Sequence, residues 1–314
     1  MQSFFYDIAV IGGGASGLAA AIEAKQYGGV DCNVAVIDKN SRLGKKILAT
    51  GNGRCNLGNI EENQSSHYSG SCVDLIEPLF NKFGSSESFF KSLGVICRSD
   101  SGRLYPYSNH AASVLDALRF QLNDLNVDVF TDTEVVNLKY KLGLWEISVN
   151  SNFEKINSKK IIISCGGKAA PTFGTDGNLY KVLKSINNYF TPIRPALCPA
   201  YTDPLIIKGL KGIRAIGKVS LYNCENKLIC SDTGEVQFTD RTLSGICVFN
   251  LAAFAKEKNM YIQFDLLPHL KESEVSELLW EIYAQRSAWS IVDMLSGIFQ
   301  KKCVLHYLKA AKYL

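Results

Sequence analysis

Apolar positions along the chain follow two rhythms. Residues 6–11 (YDIAVI) form a short, nearly unbroken apolar run, the pattern of a parallel strand buried on both faces. Residues 18–25 (LAAAIEAK) are alanine-rich and predict a helix slim enough to pack closely on a sheet, and residues 33–37 (NVAVI) predict a second buried strand. Helical spacing returns at Val73, Ile76, Leu79, Phe80 and Phe83, and again at Phe89, Phe90 and Leu93 behind a cap at Ser85 or Ser86. A third stripe comprises Val114, Leu115, Leu118, Leu122 and Leu125, and all three are expected to face the core. Residues 127–131, 133–140 and 144–149 read as strands with a turn near Leu142-Gly143. Residues 161–163 (III) read as another buried parallel strand.

From about Asn188 the rhythm alternates. Residues 218–222 and 227–230, joined near Glu225-Asn226, predict an antiparallel hairpin, and residues 260–266 one more strand before Pro268. Beyond it Val275, Leu278, Leu279 and Ile282 make a helical stripe. Trp289, Val292, Leu295, Phe299, Val304 and Leu308 continue at near-helical spacing. There is no internal repeat and no low-complexity linker.

Composition narrows the class. Of 314 residues 46% are hydrophobic and 20% charged, which excludes a disordered or collagen-like chain, and the length suits two domains. Net charge is +4 without any block of five like charges, so no electrostatic argument favours a nucleic-acid partner. The most apolar stretch, residues 245–255, is about half the length of a spanning helix and is interrupted by Asn250. The N-terminus lacks a basic n-region and a signal-type cleavage site, and the ten cysteines include no CxxC. The expectation is a cytoplasmic protein without a membrane partner, its thiols mostly reduced and structural.

Chemistry enters at the first turn. Gly12-Gly13-Gly14-Ala15-Ser16-Gly17 satisfies G-x-G-x-x-G between the first strand and the helix, and Asp38 ends the second strand 21 residues after Gly17. Gly12 permits the tight turn, Gly14 lets the backbone approach a pyrophosphate, and Gly17 lets helix and strand pack closely. Free N–H groups at the helix start, including those of Ala15 and Ser16, favour phosphate charge. Asp38 can accept hydrogen bonds from ribose hydroxyls. A plain strand–turn–helix is the alternative. A glycine- and lysine-rich segment follows, residues 41–56 (SRLGKKILATGNGRCN), with Lys39 and Lys45 available for phosphate. Its Gly51 and Gly53 stand where a flat ring would lie against the chain. A mobile surface loop is the other reading.

GGGASGLAAAIEA, the Asp38-Lys39 turn and RLGKKILATGNGRCNLGN together resemble the BaiN-like, aminoacetone-oxidase-like group of prokaryotic flavoproteins. GRLYP (102–106), SCGGK (164–168), GTDG (174–177), PALCP (195–199), GEVQFT (234–239) and Ser244-Gly245 extend the likeness. It implies an α/β fold: a Rossmann-type FAD-binding domain with an inserted antiparallel β-rich domain and the beginning of an inserted helical segment. The corresponding ranges are 1–188, 189–266 and 267–314. It also implies that the backbone edge at Val135 meets the adenine and that the chain passes the cofactor at Cys165, Gly166 and Gly167. Asp38 stands where flavoproteins more often have Glu, and Cys165 where the family usually has Thr. Members of the group run on to a Gly-rich segment that closes on the flavin, and none is found here, so a chain cut inside the helical segment is expected.

No HxxxH or HxH links His67, His110, His269 and His306, so no metal is expected, and no GxSxG elbow supports a serine hydrolase. Cys55 has no near partner and is expected to be structural. Asn52, Arg54 and Asn56 are the candidates for shaping the flavin environment or meeting substrate, with ordering of their loop as the alternative. The resemblance implies an FAD-dependent oxidoreductase acting on a small organic substrate, by amine oxidation or enone reduction, with NAD(P)H a possible electron donor. The competing reading is a truncated, non-catalytic remnant with weak or no FAD binding.

Overall fold

The computed structural model describes every residue except 1–3, 61–67, 69, 71, 154 and 313–314, so His67 lies outside the described residues. Two compact units follow one another, Met1–Thr191 and Pro192–Leu314.

In the first unit β1 (Phe4–Ile11) leads into α1 (Ala15–Gly28), which returns the chain to β2 (Val34–Ile37). A small three-stranded sheet of β3 (Gly58–Asn59), β4 (Cys97–Asp100) and β5 (Arg103–Pro106) follows, interrupted by α2 (Ile76–Phe83) and α3 (Ser86–Ser92). Then come α4 (Ala111–Asp124), β6 (Asp128–Phe130), β7 (Glu134–Lys141), β8 (Leu144–Asn150), β9 (Lys155–Ile163) and α5 (Leu179–Ser185). The main sheet is six-stranded in the order β6-β2-β1-β9-β8-β7. Its first four strands are parallel, with Ile11 opposite both Ile37 and Ile163, and β8 and β7 add an antiparallel edge.

Strict alternation divides the core between two faces. Val10, Val34 and Val36 join Leu18 and Ile22 of α1 and Leu115 and Leu118 of α4 on one side. Ala9, Ile11, Ala35 and Ile37 join Leu138, Ile147, Ile156 and Leu179 on the other. Both faces of β1 and β2 are therefore covered, which is why their sequences read as continuous apolar runs. Each fully buried leucine here contributes about 1.5–3 kcal/mol.

Two of the three expected helical stripes are placed differently from the expectation. The α4 stripe is buried as predicted, and Ser85 caps α3 by accepting the Ser88 N–H. In α2 no residue is buried, and Phe83 is 68% exposed. In α3 Phe89 and Phe90 only half-pack against the core. β9 starts six residues earlier than the apolar run, because its polar half pairs along the backbone with β1 and β8, and Lys155 and Lys159 reach Glu146 and Asp7.

The second unit contains a five-stranded sheet, in the order β10-β13-β12-β11-β14. Its strands are β10 (Ala200–Tyr201), β11 (Arg214–Tyr222), β12 (Leu228–Phe238), β13 (Thr242–Ser244) and β14 (Tyr261–Asp265), with α6 (Ile246–Ala252) between the last two. β11 and β12 form the predicted hairpin, extended to Phe238. Cys247, Val248 and Leu251 of α6 bury against Val219, Leu221 and Val236. The apolar stretch 245–255 is thus a short core helix. α7 (Glu272–Gln285) forms where its stripe predicts, yet none of its residues is buried. The last stripe is broken into α8 (Ile291–Leu295), capped by Ser290, and α9 (Lys301–Ala310). Among the described residues no helix is long and apolar enough to cross a membrane.

Candidate functional site

The carboxyl ends of β1, β2 and β9 open into a cleft of about 330 Å³, the position at which open α/β sheets bind ligands. Its floor is the glycine turn. Gly12 has φ +106°, and a Cβ there would lie 2.4 Å from the Ser164 carbonyl oxygen of the neighbouring strand end. At Gly17 a Cβ would lie 1.8 Å from the Gly12 oxygen, so helix and strand touch at the backbone. At Gly14, by contrast, a Cβ would meet nothing within 4 Å. The fold requires the outer two glycines, whereas the space over Gly14 is open.

Hydrogen bonding in α1 starts with the Leu18 N–H on Gly14 O, and no side chain caps the helix. The N–H groups of Gly14, Ala15, Ser16 and Gly17 have no acceptor among the described residues, and the helix dipole adds partial positive charge where they converge. These are donors suited to a diphosphate.

Asp38 is already engaged. Its Oδ2 accepts the Gly13 N–H at 2.6 Å, and its Oδ1 accepts the backbone and side-chain N–H groups of Asn40 at 2.7 and 2.9 Å. A carboxylate offers about four acceptor sites, which leaves room for a ribose hydroxyl. Lys39 pairs with Asp176 at 2.8 Å, and this bond, ahead of the Asn178 N–H, holds the Asp176 carboxyl below its ordinary value. Lys46 donates to the Ala169 carbonyl at 3.0 Å. Lys45 is exposed on the cleft wall. Another wall carries Thr133 and, from the start of β7, Glu134 and Val135; β7 is an edge strand whose outer backbone groups face no neighbour in the sheet.

Of the residues singled out in the sequence, Gly12, Gly14, Ala15, Ser16, Asp38, Lys39, Lys45, Val135, Cys165 and Gly166 line this cleft. Gly17 lies beneath it in the helix–strand contact, and Gly167 is exposed beside Tyr180. Gly51, Asn52, Gly53, Arg54 and Asn56 are not among the lining residues. Their segment is a kinked turn over Ile47–Gly53 in which Gly51, Asn52 and Gly53 all take positive φ. Arg54 stacks over Tyr105 at 4.3 Å, donates to its hydroxyl at 3.3 Å and reaches Asp100 at 3.4 Å. The Asn56 side chain accepts the Gly58 N–H at 3.1 Å. All of these contacts order the loop itself. Burial raises the thiols of Cys55 and Cys165, so both are neutral at pH 7 and neither is an activated nucleophile. Among the described residues no group of His, Cys, Asp and Glu could hold a metal.

Lys46 and Thr175, which the sequence reading named only within their motifs, and Asn40 and Asn178, which it passed over, also line the cleft. Thr175 donates to the Ala169 and Ala170 carbonyls and Asn178 to Glu134. The GTDG motif was the available signal. Its proximity to β2 arises only when β9 is placed beside β1.

Residues 6–260 match the HI0933-like protein Rossmann domain, most of the described chain. The chain belongs to the HI0933-like Rossmann family. It is a family of FAD-dependent oxidoreductases, and the glycine cradle, unsatisfied helix N–H groups and acid at the end of β2 fit the adenosine-diphosphate half of that cofactor. A 3-dehydro-bile acid delta(4,6)-reductase of Clostridium scindens is 34% identical over 309 residues, covering 96% of this chain and 74% of that protein. A ribosomal RNA dihydrouridine synthase of Escherichia coli is 26% identical, covering 84% of this chain and 64% of that protein. Among solved structures, a 3-ketosteroid-delta4-(5alpha)-dehydrogenase of Rhodococcus jostii is 16% identical with a TM-score of 0.46, covering 72% of this chain and 61% of that one.

Proposed function

We propose that this HI0933-like protein reduces a carbon–carbon double bond conjugated to a carbonyl in a small organic substrate, using FAD, with NAD(P)H as electron donor. The observation that carries the reading is the 34% identity to the bile-acid delta(4,6)-reductase over nearly the whole chain. The second relative supports the same bond type. Dihydrouridine is uridine saturated at a ring double bond conjugated to a carbonyl, so two relatives with different substrates share one reaction class. Neither of these relatives is named for amine oxidation.

A bound flavin supplies reversible hydride chemistry. The chain supplies position and field. The N–H groups of Gly14, Ala15 and Ser16 would hold the diphosphate, Asp38 the ribose, and the backbone at Val135 the adenine. Lys45 and Lys46 add positive potential on the same cleft. Neutral Cys165 offers packing without a competing thiolate. Asn52, Arg54 and Asn56 remain the candidates on the substrate side. The contacts of Arg54 with Tyr105 and Asp100 would keep its charge in place for an oxygen on which negative charge develops.

Anaerobic half-reactions test this. FAD-loaded protein should lose its flavin band at about 450 nm on adding NADH or NADPH. A 3-oxo-4,6-diene steroid should then restore the band while its own dienone absorption disappears. Reduction of the flavin by a primary amine, with no response to the dienone, would reverse the assignment.

A further inference from the structure

Behind the glycine turn a charged side chain is connected to the cleft by peptide groups. Arg119, partly buried on α4, donates to the Leu43 carbonyl at 2.6 Å. That carbonyl belongs to the same peptide group as the Gly44 N–H, which donates to Gly13 O at 2.7 Å. Gly13 O in turn shares its peptide group with the Gly14 N–H. In a trans peptide the C=O and N–H point in opposite directions, so each bond passes its polarisation to the next. At the end of the series the Gly14 N–H has no acceptor among the described residues and borders the open space over Gly14.

Packing keeps the series aligned. Gly44 has φ +71°, and a Cβ there would lie 2.2 Å from Leu115 Cδ1, so the turn is seated on α4. A Cβ on Gly13 would lie 2.3 Å from Leu43 Cδ2, so the same turn presses on the glycine loop. Hydrogen bonds in series strengthen one another, and a guanidinium keeps its charge at working pH.

We propose that Arg119 is a positioning residue for the cofactor diphosphate, acting through the Leu43–Gly44 and Gly13–Gly14 peptide groups to strengthen the Gly14 N–H as a donor. This rests on the FAD reading above and adds a residue outside the cleft to it. The relay acts on the diphosphate alone, so its signature differs from that of a general packing defect.

The test compares wild type with Arg119→Gln, which keeps a neutral donor, and Arg119→Lys, which keeps the charge without the planar fork. In 15N-labelled apoprotein the Gly44 and Gly14 amide protons should shift upfield in R119Q. The dissociation constants of FAD and of ADP should each rise about fivefold, the scale of losing charge assistance in one hydrogen bond, while that of adenosine stays unchanged. If wild type binds FAD, and R119Q binds FAD and ADP equally tightly with both amide resonances unmoved, the relay is wrong. If wild type itself binds no FAD, the cofactor reading fails, and the amide shifts still decide the relay. Should R119Q not fold by circular dichroism, R119K is read instead. It is expected to move both resonances in the same direction by less, and unmoved resonances overturn the proposal.

Discussion

Glycines of one motif have separable duties. Gly12 and Gly17 are required by contacts inside the protein, with neighbouring backbone atoms 2.4 and 1.8 Å from where a Cβ would stand, while Gly14 faces open space. Gly14→Val should therefore leave the unfolding midpoint of the apoprotein close to wild type and remove FAD from the purified protein. Gly17→Val should destabilise the apoprotein by about 1–3 kcal/mol or more, because the backbone of β1 and α1 must separate. Thermal melts and flavin content measured on both variants check this. A Gly14→Val protein that keeps its FAD would falsify the phosphate-turn assignment. The order strand, glycines, helix, strand, acid was legible because each residue acts on its near neighbours. The engagement of Asp38 by Gly13 was not legible, since it depends on how closely the second strand end approaches the loop.

At the scale of elements, α4 does the most for the site. Its inner face, Val114, Leu115, Leu118 and Leu122, fills the core beneath α1, and Leu115 also seats Gly44. Leu115→Ala should cost about 2–5 kcal/mol, read as a fall in the urea midpoint with unchanged slope. It should also weaken FAD binding, because the cavity lies directly against the turn that supports Gly13. A variant with wild-type FAD affinity would mean that the turn is held without α4. The stripes of α2 and α7 show the limit of periodicity as evidence. Both form helices at the predicted positions, but Phe83 of the first stripe is 68% exposed and Leu279 of the second 38%. Spacing makes a helix amphipathic, whereas burial needs a partner surface that spacing does not specify.

The whole molecule comprises two units, with residues 188–199 carrying neither helix nor strand between α5 and β10. The ranges 1–188, 189–266 and 267–314 stand as a proposed domain division, although α9 places Cys303 in the same buried cluster as the second sheet. Limited chymotrypsin digestion should cut first after the exposed Tyr189, releasing a fragment that contains the whole glycine turn and its sheet. First cuts within β11 or β12 would contradict the division. Net charge is also a whole-molecule property, and it speaks only to long-range attraction.

The sequence by itself determined the βαβ unit, the glycine turn inside it and the hairpin of the second unit. These depend on steric limits and periodicity within about forty residues of one another. Only the tertiary structure decided that Asp38 holds Gly13, that Lys39 and Lys46 reach the loop after β9, and that Arg119 stands behind the turn. Those contacts join segments whose separation in sequence carries no information about distance. They arise from the order in which the strands lie side by side, and a hydrogen bond needs its partners placed to within a few tenths of an ångström.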